Sequence, residues 1–304
     1  MTTTNEVRIE LSTLCNHTCA FCPHENSFSR KKEIMSNELF NIILKKIYKV
    51  KQIDTITLSG LGEMFFDKDI FYKIEKIKSL KYRINILTNG SLLNKEIIDQ
   101  LLLLQVDSIR LSLHTTDKDE YMEITGSDKY DHVSEMIEYI ISHPDKKTEF
   151  IITADIVDIN KNNVDSLIEK YSNRVDLLEI WKPHNWINWR DYRLGKIMKK
   201  TCGRPFKGPV QIQVDGTVNM CCFDYNGELL IGYLKNQSFD EIYSSKEYVY
   251  IKECHTNGNM ENLLCKNCDQ LYESDPSIVI YNSKFKASDR INRTSTVYDK
   301  MEKI

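Results

Sequence analysis

The chain alternates two hydrophobic periods. A period of two marks Val7-Arg8-Ile9-Glu10-Leu11 and a string of short apolar runs: Thr55–Ser59, Arg83–Thr88, Ser108–Leu113, Glu149–Val157 and Asp176–Trp181. These read as strands. Between them the period lengthens. In Ser36–Tyr48 the apolar residues Leu39, Ile43 and Ile47 recur at i+4 behind a capping Ser36 or Asn37, and Asn94–Gln105, Asp131–Ser142 and Asn160–Tyr171 repeat the pattern. Strands alternating with helices of this length predict βαβ units and a parallel sheet. Six units in about 180 residues are too few for a closed eight-fold barrel. The expected fold is therefore α/β, a curved partial (β/α)6 barrel.

The pattern changes after residue 182. Lys182–Lys200 is basic and irregular, and holds Trp186 and Trp189 just past Trp181. Core packing or a substrate-stacking wall would both account for this tryptophan cluster. Val210-Gln211-Ile212-Gln213-Val214 alternates cleanly, Asp215-Gly216 is a strong hairpin turn, and Thr217–Cys221 is the return strand. Leu229–Leu234, a short helix from Ser238 and a helix over Lys246–Cys254 follow. The expected organisation is a partial barrel over 1–182, a linker over 183–201, a small hairpin-plus-helix domain over 202–272, and a polar tail or lid over 273–304.

Composition narrows the function classes. Of 304 residues 41% are hydrophobic, enough for a sizeable core, and the net charge of -3 leaves no electrostatic footprint for nucleic acid. No apolar run is long enough to span a bilayer, and Met1–Glu6 lacks the regions of a signal peptide. The nine cysteines form a tight triplet and a C-terminal set rather than a disulfide framework, which fits a reducing cytoplasm.

The triplet is Cys15-Asn16-His17-Thr18-Cys19-Ala20-Phe21-Cys22, directly after the first strand. Three thiolates are one short of the four that hold a 4Fe-4S cluster, so one iron would stay open. Zinc, helped by His17 and His24, is the rival reading, and buried structural cysteines are the bland one. The C-x3-C-x-aromatic-C pattern, with Phe21 as the aromatic, resembles the radical SAM superfamily. That resemblance implies a 4Fe-4S cluster whose open iron chelates S-adenosylmethionine. It also implies reductive cleavage to a 5′-deoxyadenosyl radical, with a flavodoxin- or ferredoxin-type protein donating the electron. Ser59-Gly60-Leu61-Gly62-Glu63 after the second strand resembles the family's Gly-Gly-Glu motif for the methionyl amino group. Leu61 and Met64 depart from it, so the carry-over is firm at Gly62 and Glu63. Asn89, in the turn Thr88-Asn89-Gly90, and Ser112 resemble further cofactor-binding positions. His114 shares a strand face with Ser112, where a structural role accounts for it equally well.

The second set is Cys202, Cys221, Cys265 and Cys268, with Gly216-x4-Cys221 and Cys265-x2-Cys268 spacings. Four thiolates could close around one cluster or hold zinc. The arrangement resembles the SPASM and shorter twitch auxiliary-cluster domains. It comes nearest to the twitch-bearing aminocyclitol dehydrogenases, although the dense cysteine run of a full SPASM domain is missing. Cys222 and Cys254 are left over. The resemblance implies one auxiliary 4Fe-4S cluster that takes an electron from a substrate radical, and hence oxidation of a small polar metabolite of sugar or aminocyclitol type. A peptide-modifying maturase is the alternative, disfavoured because only fourteen residues precede Cys15. A non-catalytic zinc-binding interaction module is the alternative of another class.

Overall fold

The computed structural model describes residues 4–144, 147–182, 185–186, 198–272 and 278–282. In chain order, the first half runs β1 (Glu6–Ile9), α1 (Asn37–Tyr48), β2 (Thr55–Leu58), α2 (Ile70–Ser79), β3 (Arg83–Thr88), α3 (Lys95–Leu103) and β4 (Ser108–Ser112). It continues with α4 (Lys118–Thr125), α5 (Tyr130–Ser142), β5 (Glu149–Asp155), α6 (Val164–Tyr171) and β6 (Leu177–Trp181). The second half has α7 (Arg204–Lys207), β7 (Val210–Ile212), β8 (Thr217–Asn219), β9 (Leu230–Tyr233), α8 (Phe239–Tyr243), α9 (Lys246–Asn257) and β10 (Ile278–Asn282).

These elements form two compact units that interleave along the chain. One comprises residues 1–15, 23–85 and 184–274, the other 16–22, 86–183 and 275–304. The division cuts β3 and the cysteine triplet.

In the first unit β1 lies between two parallel partners, with Val7 opposite Ile56 and Val210, and Ile9 opposite Leu58 and Ile212. The expected hairpin thus extends the sheet from β1: β7 and β8 pair antiparallel, and β9 follows β8. Gly216 makes the turn at φ 84°, a left-handed conformation that its lack of a Cβ permits. Helix α1 starts where the Ser36 hydroxyl accepts the Leu39 N–H at 3.2 Å. Glu38 in its first turn and Lys45 and Lys46 in its last suit the helix dipole. It buries Phe40, Ile43, Leu44 and Ile47, so Ile43 and Ile47 of the expected stripe face the core while Leu39 is half-buried and Phe40 takes its place. Each fully buried side chain of this size contributes about 1.5–3 kcal/mol.

In the second unit β4, β5 and β6 run parallel, and β10 adds antiparallel to β6. Ile109, Leu111, Tyr121, Ile137, Phe150, Ile152, Tyr171 and Leu178 are among its fully buried side chains. The α/β class, parallel and not closed into a barrel, is the one expected. Among the described residues α2, α4 and the one-turn α7 are additional to the helices the periodicity singles out. In α2 the buried position Lys73 interrupts the apolar stripe, its ammonium held by Asp67 and by the Met35 carbonyl at 2.6 Å. Helix α4 is short, capped by Asp117 and stopped by Gly126 at φ 66°. Strand β10 falls within the stretch expected to be a polar tail. The rest of that tail, Trp189 and most of the linker lie outside the described residues.

Candidate functional site

The approach to the cysteine triplet is fixed by the loop after β2. Glu63 donates its N–H to the Leu14 carbonyl at 2.7 Å, and the Ser12 hydroxyl accepts the Leu14 N–H at 3.0 Å. Gly62 is needed there, because a Cβ at this position would sit 2.4 Å from the Ser12 oxygen and 2.7 Å from that of Leu14. Gly60 passes equally close to Glu10, where a Cβ would lie 2.3 Å from Cγ. Glu10 is a buried hub. Arg30 grips it at 2.7 and 2.9 Å, and it accepts the N–H groups of Leu61 at 3.2 Å and Val214 at 3.1 Å. A carboxylate so held ties β1, the β2 loop and the hairpin together, and losing either charged partner would strand the other. Glu63 itself is 2% exposed and caps the short 3-10 turn Met64–Phe66 by accepting the Phe65 N–H at 3.2 Å.

The rest of the triplet belongs to the second unit. Thr18 and Ala20 donate their N–H groups to the carbonyls of Thr125 and Ile124, at 2.8 and 2.7 Å. The Asn16 side chain donates to the Ser91 hydroxyl at 2.8 Å and accepts from the Asn89 amide at 3.1 Å. The Asn-Gly turn after β3 therefore clamps the cysteine loop. A turn with the Cys22 N–H on the Cys19 carbonyl at 2.9 Å closes Cys19 to Cys22. Phe21 packs edge-on to His114 at 4.9 Å, and the Asp155 N–H donates to His114 Nδ1 at 3.1 Å. Accepting that bond leaves the ring proton on Nε2, and burial lowers the His114 pKa to about 3, so the ring is neutral. Ser112 lies beside Thr153, its hydroxyl 3.4 Å away. Phe21, Asn89, Ser112 and His114 thus share one unit, and Gly60, Gly62 and Glu63 the other.

Asp155 is a residue the sequence reading passes over. It ends β5 with its side chain 30% exposed, and burial raises its pKa from 3.8 to about 7. The one signal for it in the sequence is a carboxylate closing an otherwise apolar strand.

The second cysteine set comes together within the first unit. Cys202, Cys221, Cys265 and Cys268 all line one cavity, with Arg204, Phe223 and His255 also in its wall. Asn219 fixes the turn after β8 by donating to the Cys221 and Asp224 carbonyls at 3.2 and 2.8 Å. The Asp224 carboxylate accepts the N–H groups of Gly227, Glu228 and Leu229. Cys268 N–H meets the Cys265 carbonyl at 3.0 Å, which closes that pair into a turn. Burial pushes the Cys265 and Cys268 thiols up to about 12, so a cationic group must enter before they give up their protons. Burial opposes the Arg204 charge, but the nearby sulfurs of Cys222, Cys221, Cys202 and Cys268 outweigh it and raise its pKa. Its guanidinium carbon stands 4.5 Å above the Phe223 ring.

Cys222 bonds the Cys221 thiol and is not in the cavity wall, and Cys254 bonds Tyr250 on α9. Among the described residues no three His, Cys, Asp or Glu side chains converge tightly enough for a single metal ion. Zinc needs that, since Zn–S bonds of about 2.3 Å put ligand sulfurs within about 4 Å of one another. His24 is also occupied, with Nε2 2.8 Å from the Thr13 carbonyl and Nδ1 2.8 Å from Glu25. Four cysteines that line one cavity without converging on a single point suit a multi-iron group better.

Comparisons with known proteins agree with this geometry. Residues 9–166 match the model of the Radical SAM superfamily, and residues 202–269 match SPASM, an iron-sulfur cluster-binding domain. A probable GTP 3′,8-cyclase of Saccharolobus islandicus is 32% identical over 136 residues, 45% of this chain and 43% of that one. The chain thus matches less than half the length of that relative. Among solved structures, BtrN in complex with AdoMet and 2-DOIA aligns with a TM-score of 0.64 at 18% identity, covering 88% of this chain and 94% of that one. Streptococcus suis SuiB bound to its precursor peptide SuiA aligns at 0.66 with 16% identity, covering 89% and 71%. Identities this low show the fold. The two family models bring a 4Fe-4S cluster with S-adenosylmethionine and auxiliary iron-sulfur binding. No described helix is long and apolar enough to cross a membrane. The chain belongs to the radical SAM superfamily, and it carries a SPASM domain behind its radical SAM domain.

Proposed function

We propose that the chain is a radical SAM dehydrogenase that oxidises a small polar metabolite of sugar or aminocyclitol type by two electrons. The observation that carries this reading is the cavity whose wall holds Cys202, Cys221, Cys265 and Cys268 together. A 4Fe-4S cluster with all four irons bound by these cysteines has no position left for substrate, so its role is electron transfer. Cys15, Cys19 and Cys22 would hold the first cluster with one iron open, and Gly62, Glu63, Asn89 and Ser112 would bind S-adenosylmethionine beside it. When bound, that cofactor supplies the hydrogen-atom acceptor.

The balance is an alcohol to a ketone. The carbon gives up a hydrogen atom, the hydroxyl gives up a proton, and the remaining electron leaves through the second cysteine site. Asp155 is the proposed base: it ends β5, its N–H bonds the His114 ring that packs on Phe21 of the cysteine loop, and burial raises its pKa towards the neutral range, where a carboxylate takes up a proton readily. A flavodoxin- or ferredoxin-type protein would supply the one electron that starts each turnover.

Peptide modification is the second reading, supported by the fold shared with SuiB, which was solved on a precursor peptide. Anaerobic assays with reduced protein and S-adenosylmethionine separate the two. A panel of polyols and aminocyclitols should give 5′-deoxyadenosine and ketone in a 1:1 ratio. Turnover confined to peptides, with a new crosslink, would refute the dehydrogenase reading.

A further inference from the structure

The cavity that gathers the four cysteines also holds a ring nitrogen for which the described residues provide no partner. His255 on α9 is 1% exposed and lines the cavity, and its Nε2 is buried without a hydrogen-bond partner among the described residues. The other ring nitrogen fixes the tautomer. Thr201 Oγ1 lies 2.8 Å from His255 Nδ1 and already accepts the Gly203 N–H at 3.0 Å. Among the described residues His255 Nδ1 is the acceptor within reach of that hydroxyl proton. With the hydroxyl donating to Nδ1, the tautomer this pairing favours, Nε2 carries the ring proton. A buried N–H left without an acceptor is costly, and cluster sulfides and cysteine thiolates are acceptors that would relieve the cost. A second donor already faces this sulfur set: the Phe223 N–H reaches Cys221 Sγ at 3.5 Å.

We propose that His255 Nε2–H donates a hydrogen bond to a sulfur of the auxiliary cluster, and that with the Arg204 cation it raises the cluster's reduction potential. A donor and a cation both favour the more negative, reduced form, which suits a cluster that accepts an electron. The proposal rests on the reading of Cys202, Cys221, Cys265 and Cys268 as the cluster's ligands.

The test uses the intact chain with Cys15, Cys19 and Cys22 replaced by Ala, so that only the auxiliary cluster remains. Iron content, an EPR-monitored redox titration and pulsed EPR of nitrogen couplings are measured for this parent and for His255→Phe, His255→Gln and Thr201→Val. All four proteins should hold about four irons. In His255→Phe the reduction equilibrium should move about tenfold towards the oxidised form, about 59 mV lower for one electron, and the weak histidine nitrogen coupling should vanish. His255→Gln, which keeps an N–H donor, should fall between. Thr201→Val, which lets the proton move to Nδ1, should shift the potential the same way by less. An unchanged potential in His255→Phe with iron intact overturns the hydrogen bond and leaves the cluster assignment standing. A parent without iron overturns the assignment itself. Iron lost from both His255 variants, with the strong coupling of a directly bound nitrogen in the parent, would make His255 a ligand and also overturn the proposal.

Discussion

Replacing Gly62 by Ala tests how the β2 loop sets the first cysteine. The new Cβ would stand 2.4 Å from the Ser12 oxygen and 2.7 Å from the Leu14 oxygen, where real Cβ contacts do not fall below 3.0 Å. Relief requires a shift of about 0.6 Å, the difference between 3.0 and 2.4 Å. Both obstructing atoms are backbone, so no side chain can rotate away. Overpacking of this kind costs about 1–3 kcal/mol. The Glu63 N–H bond to the Leu14 carbonyl, 2.7 Å long, would stretch or break for about 1 kcal/mol more. We expect a total loss of about 2–4 kcal/mol in equilibrium urea unfolding, the sum of these two costs. Leu14 directly precedes Cys15, so iron at the first site should fall while the second site, held by the hairpin, keeps its own. A Gly62→Ala protein within about 0.5 kcal/mol of the parent and with full iron would show that the loop does not position the cysteine.

Two further substitutions probe the binding residues. Glu63→Gln keeps an oxygen to cap the Phe65 N–H but removes the charge. S-adenosylmethionine affinity, measured by calorimetry, should drop roughly 10- to 100-fold for the loss of about 1.5–3 kcal/mol, with stability unchanged; equal affinity would leave Glu63 as a cap alone. For Asp155 the folded pKa of about 7 lies above the ordinary 3.8, so the folded chain holds a proton that the unfolded chain releases between about pH 4 and 7. Stability therefore falls as pH rises through that window. Asp155→Asn should be the more stable protein at pH 8, with the gap closing towards pH 4. At 1.36 kcal/mol per pH unit the full shift is worth about 4 kcal/mol; with the side chain 30% exposed we expect about 1–2. The same variant should lose the rise of kcat/KM with pH that ionisation of Asp155 contributes above the ordinary carboxyl range, and an unaltered pH profile would remove Asp155 as base.

The parallel strands were legible because their apolar residues, such as Val7 and Ile9, are fully buried and leave a clean pattern. Helix α2 was not, because Lys73 sits in its apolar stripe and is neutralised by Asp67, a partner six residues earlier that periodicity does not register. Nor did the hairpin's parallel pairing with β1 show, since Val210 meets Val7 across two hundred residues of chain. The cysteines announced themselves by spacing. Arg204 and His255 did not: each is a single ordinary residue, and the fold alone brings α7 and α9 to the same cavity wall. Glu10 and Arg30 were missed for the same reason, a buried carboxylate and a half-buried guanidinium twenty residues apart.

The most direct test of the account is the iron content of the anaerobically reconstituted chain and of its Cys268→Ala variant. The parent should hold about eight irons, in two 4Fe-4S clusters. Cys222→Ala and Cys254→Ala should keep that number, because neither residue lines the cavity. Cys268→Ala should lose about half, still cleave S-adenosylmethionine, and fail to release oxidised product. A parent with about twelve irons, three clusters' worth, would contradict the account. So would iron lost on replacing Cys222 or Cys254, or a Cys268→Ala protein that forms product at the parent rate.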